Sequence, residues 1–444
     1  MAERLFGTDG VRGKAGLYPL DAPTIRRLGA ALVRVLDSPT TRLVIGRDTR
    51  ESSPWIEREL ACGARTARAD VTSAGTLPTP ALAFITRSMG FNAGLMISAS
   101  HNPFEDNGIK VFSGAGAKYG EAMEQQIEAL VADRSWSVPE GDAAPVACTD
   151  YAEAYLAHAR VVLPDAGPLA GCRIGVDCAN GAMTEYAPRL LEELGLDVTS
   201  IASSPDGRNI NRRCGSTHPD ALATEVRLRG LRLGVAFDGD GDRAIFVDQL
   251  GQIVDGDAVL LICARQMKAE GRLRGNAIVA TVMSNVGLET ALRDSHIGLI
   301  RCAVGDKYVM EELAARGLVL GGEQSGHIIF ADQMFTGDGL ITALNVLRTM
   351  VATGRELTDL AAQMQRFPQV LVNVKVQRRA KLTEIPGIAD AMSRVERRLG
   401  HQGRLLVRYS GTEPLLRIML EGRDERAIEL WANEIAKEVR KHLS

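Results

Sequence analysis

An apolar run gives way to polar residues in the stretch Gly94-Leu-Met-Ile-Ser-Ala-Ser-His-Asn-Pro103. This pattern predicts a buried strand around Leu95–Ile97 that ends in an exposed loop, the Ser100 loop. The loop presents the hydroxyls of Ser98 and Ser100 beside the imidazole of His101. A serine at the carboxyl end of a strand, next to an imidazole, is well placed to carry a transferable group. A polar turn that caps the next helix is the competing interpretation.

Three carboxylates alternate with glycines in a second stretch, Phe237-Asp-Gly-Asp-Gly-Asp-Arg243, the Asp loop. Because glycine permits a sharply turning backbone, Asp238, Asp240 and Asp242 can converge on one point. Converging carboxylates repel one another unless a cation lies among them. Oxygen ligands without nearby Cys or His favour magnesium or manganese over zinc, so the Asp loop predicts such a metal site.

Three other interpretations of the Asp loop were weighed. An EF-hand loop needs Gly at its sixth position and Glu at its twelfth, which are Arg243 and Gln249 here, so the EF-hand is excluded. An aspartyl-phosphate phosphotransferase, with Asp238 as nucleophile, and a solvated acidic turn both rank below the metal site.

Size and composition indicate an ordinary globular protein. The 444 residues suffice for roughly three or four domains, with 45% hydrophobic and 24% charged residues. A net charge of −3 and a pI of about 6.2 argue against a nucleic-acid partner. We expect no membrane segment, since no apolar run approaches roughly 20 residues, and no signal peptide. Seven scattered cysteines without CxxC spacing predict reduced thiols and a cytoplasmic location.

Strand, polar loop and helix recur along most of the chain, which predicts three related α/β domains with mostly parallel strands. The tail differs, because alternating strand segments and amphipathic helices there predict a small α+β domain. We expect domain boundaries at 1–147, 148–250, 251–366 and 367–444. Each domain contributes one polar loop, and loops at the carboxyl ends of parallel strands bind ligands in such folds.

Two more loops complement the first two. Gly321-Gly-Glu-Gln-Ser-Gly-His327, the Glu323 loop, offers groups suited to the adjacent hydroxyls of a sugar. Arg408-Tyr-Ser-Gly-Thr-Glu-Pro414, the Arg408 loop, is followed by Arg417 and suits a phosphate dianion through guanidinium and backbone N–H groups. Plain structural turns are the alternatives for both. Further positive potential is expected from Arg12, Arg47, Arg50 and Lys307.

These ordered motifs resemble those of the α-D-phosphohexomutase superfamily and, within it, the bacterial phosphoglucosamine mutases. The resemblance runs from Phe6-Gly-Thr-Asp-Gly-Val-Arg-Gly13 to the Arg408 loop and so covers essentially the whole chain. It implies three related mixed α/β domains and a C-terminal α+β domain, similar to the TATA-box-binding protein, around a central cleft. Glu323-Gln-Ser-Gly-His327 and Ser410-Gly-Thr-Glu-Pro414 match the glucosamine pattern. Phosphomannomutase/phosphoglucomutase activity is the alternative.

The resemblance also implies roles for individual residues. Ser100, directly before His-Asn-Pro, would be the phosphorylated serine rather than Ser98. A phosphoserine oxygen would join Asp238, Asp240 and Asp242 around one Mg²⁺. The residues implied around the transferring phosphoryl group are Lys110, His101, Arg12, Arg243 and His327, with Lys110 favoured as the general acid/base. The residues implied to bind the sugar or its non-reacting phosphate are Glu323, Ser325, Lys307, Arg408, Ser410, Gly411, Thr412 and Arg417.

The implied reaction is the reversible conversion of glucosamine 6-phosphate to glucosamine 1-phosphate, through phospho-Ser100 and a 1,6-bisphosphate intermediate. Glucosamine or glucose 1,6-bisphosphate would act as activator, and the product would feed UDP-N-acetylglucosamine and peptidoglycan-precursor synthesis. The expected partner is a small sugar phosphate, with no nucleic acid and no membrane, and a homodimer is a further expectation. A sugar-phosphate sensor without turnover is the alternative from a different class of protein.

Overall fold

The structure, a computed structural model, describes residues 5–7, 9–139, 144–400, 403–410 and 414–443. The chain divides into two units, residues 1–283 with 296–362 and residues 284–295 with 363–444. Three sheets belong to the first unit and one to the second. The stretch 139–145, whose prolines and glycine predict a linker, lies mostly outside the described residues.

The first sheet is built from six strands: β1 (Phe6–Gly7), β2 (Gly10–Lys14), β3 (Arg42–Arg47), β4 (Asp70–Thr76), β5 (Ala93–Ile97) and β6 (Asp106–Ser113). Their order is β1-β2-β6-β5-β3-β4. Four helices accompany them: α1 (Ala22–Leu36), α2 (Ser53–Thr66), α3 (Thr79–Ser88) and α4 (Glu121–Ala132). Every residue of β5 is buried, as the apolar run predicted. Leu43, Ile45 and Leu95 lie in a core shared with α1 and α2.

The second sheet has five strands: β7 (Arg173–Asp177), β8 (Asp197–Ile201), β9 (Leu233–Phe237), β10 (Ala244–Asp248) and β11 (Ile253–Val254). Their order is β11-β10-β9-β7-β8. The helices in this part of the chain are α5 (Ala152–Arg160), α6 (Ala187–Glu193) and α7 (Asp220–Arg229). All residues of β9 and β10 are buried, so the Asp loop between them starts and ends in the core.

The third sheet has four strands: β12 (Ala277–Thr281), β13 (Gly298–Cys302), β14 (Leu320–Gly322) and β15 (Ile328–Phe330), in the order β13-β12-β14-β15. The helices along this segment are α8 (Gly256–Ala269), α9 (Val286–Asp294), α10 (Asp306–Arg316), α11 (Gly339–Thr353) and α12 (Leu357–Ala361). Of these, α9 belongs to the second unit.

The three sheets of the first unit share one topology. In each, three parallel strands lie in the spatial order second-first-third, which gives β4-β3-β5, β8-β7-β9 and β13-β12-β14. A fourth strand, β6, β10 or β15, then returns antiparallel to the third. The Ser100, Asp and Glu323 loops are the three connections that make this return. Equivalent connectivity therefore places the three loops at equivalent positions of related domains.

The prediction of mostly parallel strands was wrong. Among the described strands of these three sheets, six neighbouring pairs are parallel and six are antiparallel. A buried strand gives the same apolar run in either direction, so the run alone does not reveal whether the chain crosses over or turns back.

The second unit contains an antiparallel sheet of β16 (Gln369–Lys375), β17 (Gly403–Tyr409) and β18 (Leu415–Gly422), in the order β16-β18-β17. The helices α13 (Pro386–Leu399) and α14 (Glu425–Leu443) contribute to its core, which includes Ile388, Val395, Leu420 and Ile435. The predicted α+β tail is confirmed.

The seven cysteines are free thiols, and five of them are buried, in agreement with the prediction. None of the helices in the described ranges combines the length and the apolar character needed to cross a bilayer.

Candidate active site

Ser100 is held in a strained conformation. It is 1% exposed and has a φ of 53°, in the left-handed region that residues other than glycine rarely adopt. Such strain persists only where neighbouring groups hold it. The carbonyl oxygen of Ser100 accepts from Arg50 Nη2 at 3.0 Å and from Asn211 Nδ2 at 2.8 Å. Its Oγ donates to Asp238 Oδ2 at 2.5 Å and lies 3.2 Å from His101 Nδ1.

Ser98 supports the loop from below. Its Oγ donates to Asp48 Oδ2 at 2.6 Å and accepts from the Ser100 N–H at 2.9 Å. Asp48 also pairs with Arg50 Nε at 2.9 Å, and both of these side chains are fully buried. Ser98 is therefore engaged in holding the backbone, whereas Ser100 presents its hydroxyl to the carboxylates of the Asp loop.

The Asp loop is anchored by the first residues of two helices. The Thr79 N–H, at the start of α3, donates to Asp240 O at 2.8 Å, and the Gly339 N–H, at the start of α11, donates to Gly241 O at 3.0 Å. The Thr79 hydroxyl also donates to Asp240 Oδ2. A Cβ at Gly239 would lie 2.6 Å from Ser100 O, so the absence of a side chain at this position lets the Asp loop approach the Ser100 loop.

The three carboxylates of the Asp loop fit a divalent cation. Asp238, Asp240 and Asp242 each offer an oxygen, and these oxygens lie within 4.8 Å of one another in buried surroundings. Within the described residues, Asp240 Oδ1 and Asp242 Oδ1 are buried without a hydrogen-bond partner. Burial, followed by the charges of Asp242 and Asp240, raises the pKa of Asp238 well above its usual range. Hard, anionic oxygens that lack partners are the ligands that Mg²⁺ takes in proteins.

Lys110, on β6, brings a positive charge to the same carboxylates. Its Nζ lies 2.8 Å from Asp240 Oδ2, 3.2 Å from Asp242 Oδ2 and 3.3 Å from Asp9 Oδ2. Burial alone would lower the pKa of Lys110, but the three carboxylates outweigh burial and raise the pKa well above its usual range. Lys110 is therefore a buried cation between the first two sheets.

The Glu323 loop lies directly against the second sheet. The Ala244 N–H, at the start of β10, donates to Gly326 O at 3.1 Å. Gly326 has a φ of 89°, and a Cβ there would lie 2.4 Å from Ala244 O, so this approach requires glycine. Next to this contact, Glu323 Oε1 accepts from the Gly305 N–H at 3.1 Å.

An open cleft of about 360 Å³ brings the three loops together. The predicted site residues that line it are Arg12, His101, Asp242, Arg243, Glu323 and His327. Burial first, and then the charges of Arg243 and Arg12, lower the pKa of His101 to about 4, so this imidazole is neutral at neutral pH. Buried His327 lies with Nε2 3.9 Å from Asp242 Oδ2.

Four predicted contributors are not among the residues that line this cleft. Ser325 is exposed. Lys307 faces Glu124 Oε2 at 3.8 Å and lines a smaller pocket. Arg50 is fully buried beneath the Ser100 loop, and Arg47 pairs with Glu57, so neither of these two guanidinium groups lines the cleft.

The Arg408 loop belongs to the second unit, and Gly411 and Thr412 lie outside the described residues. Arg408 and Arg417 are direct cross-strand partners on β17 and β18. The N–H of buried Ser410 donates to Leu415 O at 2.8 Å.

Several residues of the site were missed by sequence reasoning. Asp9 and Asp306 line the cleft. Asp9 precedes Gly10 and Asp306 follows Gly305, so both are next to a glycine, as the predicted carboxylates are. That pattern could have identified them. Nothing in the local sequence singles out Thr79 or Asn211, because their partners lie more than a hundred residues away.

Family models match the chain in four consecutive segments. The Phosphoglucomutase/phosphomannomutase alpha/beta/alpha domains I, II and III match residues 3–137, 150–251 and 255–367, and the C-terminal domain of that family matches residues 371–438. The phosphoglucosamine mutase of Syntrophotalea carbinolica is 46% identical over 450 residues, which cover 100% of this chain and 98% of that protein. The phosphoglucosamine mutase of Desulfovibrio desulfuricans is 46% identical over 449 residues, which cover 100% of both chains.

Solved structures share the fold. A phosphoglucomutase/phosphomannomutase family protein from Burkholderia thailandensis superposes with a TM-score of 0.80 at 24% identity, covering 99% of this chain and 98% of that one. The Aspergillus fumigatus N-acetylphosphoglucosamine mutase, solved with GlcNAc-6P and magnesium, gives a TM-score of 0.67 at 17% identity, covering 98% and 95%. Matched over its whole length by curated relatives and in all four segments by the family models, the chain belongs to the bacterial phosphoglucosamine mutases of the phosphohexomutase superfamily.

Proposed function

We propose that this chain interconverts glucosamine 6-phosphate and glucosamine 1-phosphate with Ser100 as the phosphoryl carrier. One observation carries the proposal: Ser100 Oγ lies 2.5 Å from Asp238 in a strained loop held by Arg50 and Asn211. This geometry places the Ser100 hydroxyl against carboxylates that fit a metal, whereas the Ser98 hydroxyl holds the backbone of the loop. The amino-sugar substrate is inferred from the curated relatives.

In the proposed reaction, the free hydroxyl of the substrate attacks the phosphorus of phospho-Ser100. A new P–O bond forms to the sugar, the P–Oγ bond breaks, and Ser100 Oγ keeps the electron pair. Over this step Lys110, a cation at the start, is proposed to donate a proton to Ser100 Oγ and to accept the proton of the substrate hydroxyl, so that in total one proton passes from the substrate to Ser100. The resulting 1,6-bisphosphate turns over in the cleft and its other phosphate returns to Ser100, which releases the isomer and restores the enzyme. The same bisphosphate, of glucosamine or glucose, is the proposed activator.

Charge stabilisation supplies most of the catalysis in phosphoryl transfer. Mg²⁺ held by Asp238, Asp240 and Asp242, with a phosphoserine oxygen, would stabilise negative charge on the transferring group. Lys110, Arg12 and Arg243 add cations from the chain itself.

The sugar and its second phosphate are assigned to separate groups. Glu323 and Ser325 are proposed to bind sugar hydroxyls, with Lys307 as a further substrate ligand. The non-reacting phosphate is proposed to bind at Arg408, Ser410, Gly411, Thr412 and Arg417. Arg408 and Arg417 are cross-strand partners, and two neighbouring guanidinium groups suit a phosphate dianion. A homodimer, a cytoplasmic location and a place before UDP-N-acetylglucosamine synthesis complete the proposal.

A coupled assay that compares glucosamine, glucose and mannose 6-phosphates, each with a 1,6-bisphosphate activator, tests this function. We expect the highest kcat/KM with glucosamine 6-phosphate. A higher kcat/KM with either of the other sugars would contradict the proposal in favour of a sister mutase. No turnover with any of the three, together with Ser100 free of phosphate by intact mass after incubation with the bisphosphate, would indicate a sugar-phosphate sensor.

A further inference from the structure

Lys118 joins two carboxylates on different parts of the catalytic cleft. Its Nζ forms ion pairs with both Asp9 and Asp306. Asp9 lies between β1 and β2 of the first sheet, and Asp306 is the first residue of α10, beside the third sheet. About a fifth of the Lys118 side chain is exposed. Both carboxylates line the cleft, and the ammonium group ties them together.

The backbone of Lys118 is rigidly placed. The chain folds back after β6, and Lys118 forms an antiparallel bridge with Phe112. The Ser113 N–H donates to Ala117 O at 2.8 Å, and the Tyr119 N–H donates to Val111 O at 3.2 Å. Lys118 therefore lies beside β6, the strand that carries Lys110.

On one side, Lys118 is connected to the metal-binding carboxylates through Asp9. Asp9 pairs with Arg12, Lys110 and Lys118. Burial alone would raise the pKa of Asp9, but the charges of Lys110, Lys118 and Arg12 outweigh burial and lower the pKa well below its usual range. Since Lys110 also contacts Asp240 at 2.8 Å, the chain of ion pairs runs without a break from Lys118 to the Asp loop.

On the other side, Lys118 is connected to the Glu323 loop through Asp306. Asp306 Oδ1 accepts from the Lys307 N–H at 2.8 Å, and its Oδ2, which pairs with Lys118, lies 3.8 Å from His327 Nε2. The preceding residue, Gly305, donates to Glu323 at 3.1 Å. The start of α10 is thus fixed both to the Glu323 loop and to Lys118. Without the ammonium group, Asp9 and Asp306 would lose the cation that they share and repel each other.

We propose that Lys118 is a positioning residue for phosphoryl transfer. It clamps the start of α10 to the Ser100 side of the cleft, so that Glu323 holds the sugar in line with Ser100 and His327 stays beside the transferring phosphoryl group. This inference rests on the proposed function of the same cleft. Because a misplacement of about 1 Å can reduce a transfer rate by about 100-fold, a clamp remote from the reacting atoms is expected to act on kcat.

Lys118→Met tests the clamp, because methionine keeps the length of the side chain and removes its charge. We expect kcat to fall by about 10- to 100-fold with a smaller change in KM. The phosphate on Ser100, measured by intact mass, should remain. Lys118→Arg should restore part of kcat, and Lys437→Met, on the exposed side of α14, should leave the kinetics unchanged. An unchanged kcat in Lys118→Met would overturn the proposal.

A double-mutant cycle with Asp306→Asn separates positioning from general destabilisation. If the pair acts as one unit, the double variant should lose little more than either single variant, whereas losses in kcat that multiply would contradict the clamp. If Lys118→Met does not fold, Asp306→Asn alone gives the test, and a kcat equal to that of the parent protein would overturn the inference. Failure of the proposed function is recognised separately, because the unmodified protein would then show no turnover and no phosphate on Ser100.

Discussion

Ser98 and Ser100 lie two residues apart, and their hydroxyls make different kinds of hydrogen bonds. The Ser98 hydroxyl donates to Asp48 and accepts from the Ser100 N–H, so it is engaged in holding the backbone of the Ser100 loop. The Ser100 carbonyl oxygen accepts from Arg50 and Asn211, and the Ser100 hydroxyl donates to Asp238. A strained residue held by rigid partners is a frequent arrangement for a reactive side chain.

This difference predicts distinct results for two alanine variants. Ser100→Ala should abolish turnover and carry no phosphate by intact mass, while its circular dichroism spectrum and Tm stay close to those of the parent. Ser98→Ala should keep measurable activity at a reduced level, because it loses two buried hydrogen bonds of about 1 kcal/mol each. Phosphate retained by Ser100→Ala but lost from Ser98→Ala would move the carrier to Ser98.

Local sequence identified the residues that carry the chemistry better than those that hold them. Serine, carboxylate and imidazole stand out in a polar loop that follows an apolar run. Asn211 was missed because its connection to the site is a hydrogen bond to Ser100 O, 111 residues away in the sequence. The choice of Ser100 over Ser98 rests on the family resemblance and stays a prediction, which the different hydrogen bonds of the two hydroxyls support.

At the scale of elements, strand positions were predicted well and strand directions were not. The strand β5 ends at Ile97, where the apolar run predicted its end, because the change from apolar to polar residues sets this limit locally. Direction depends on the partner strand, which the local pattern does not specify.

The start of α11 contains a buried carboxylate that titrates near neutral pH. Asp338 caps the helix by accepting from the Ile341 N–H at 2.9 Å, and it also accepts from the Tyr155 hydroxyl at 2.9 Å. Burial raises the pKa of Asp338 to about 7, although these hydrogen bonds oppose the change. In the unfolded chain an aspartate has a pKa of about 3.9.

Stability should therefore depend on pH through Asp338. Between about pH 4 and pH 7, the approximate pKa values of Asp338 in the unfolded and folded states, the folded protein binds one proton more than the unfolded chain. The free energy of unfolding therefore falls as pH rises through this range and levels off above about pH 7. At about 1.4 kcal/mol per pKa unit, the loss is a few kcal/mol. Asp338→Asn keeps the cap and removes the titration. In urea unfolding from pH 5 to 8, the free energy of unfolding of this variant should rise relative to that of the parent protein as pH rises. A difference between the two free energies that does not change with pH would contradict the assignment.

At the scale of the whole molecule, elements of all three sheets of the first unit border one buried group of carboxylates. The Asp loop is fixed to α3 and α11, and β10 is fixed to the Glu323 loop. None of these contacts could be predicted from the loops themselves, since they depend on how whole sheets pack. The sequence showed which loops carry chemistry, whereas the positions of helix starts and close glycine contacts, such as Gly326 on Ala244, determine how the loops meet.

Magnesium should therefore stabilise the folded protein as well as activate it. A ligand that binds only the folded state adds about 2.7 kcal/mol when its concentration is 100 times its Kd. We expect Mg²⁺ to raise Tm and EDTA to reverse the rise. Asp240→Asn should show a smaller rise and a turnover reduced by orders of magnitude. If Mg²⁺ raised the Tm of the parent and of Asp240→Asn equally, the Asp loop would not be the metal site.

The strand that follows the Ser100 loop determines how this fold can neutralise a phosphoryl group. In many nucleotide-binding folds the anion rests on the N-terminus of the next helix, where the macrodipole and free amides receive it. Here the next element is β6, and a sheet has only a small net dipole. The helix N-termini of α3 and α11 face the aspartate backbone instead. If Ser100 carries the phosphoryl group as proposed, its charge must therefore be balanced by discrete ions and basic side chains, and the carrier should be sensitive to the ionic composition of its surroundings.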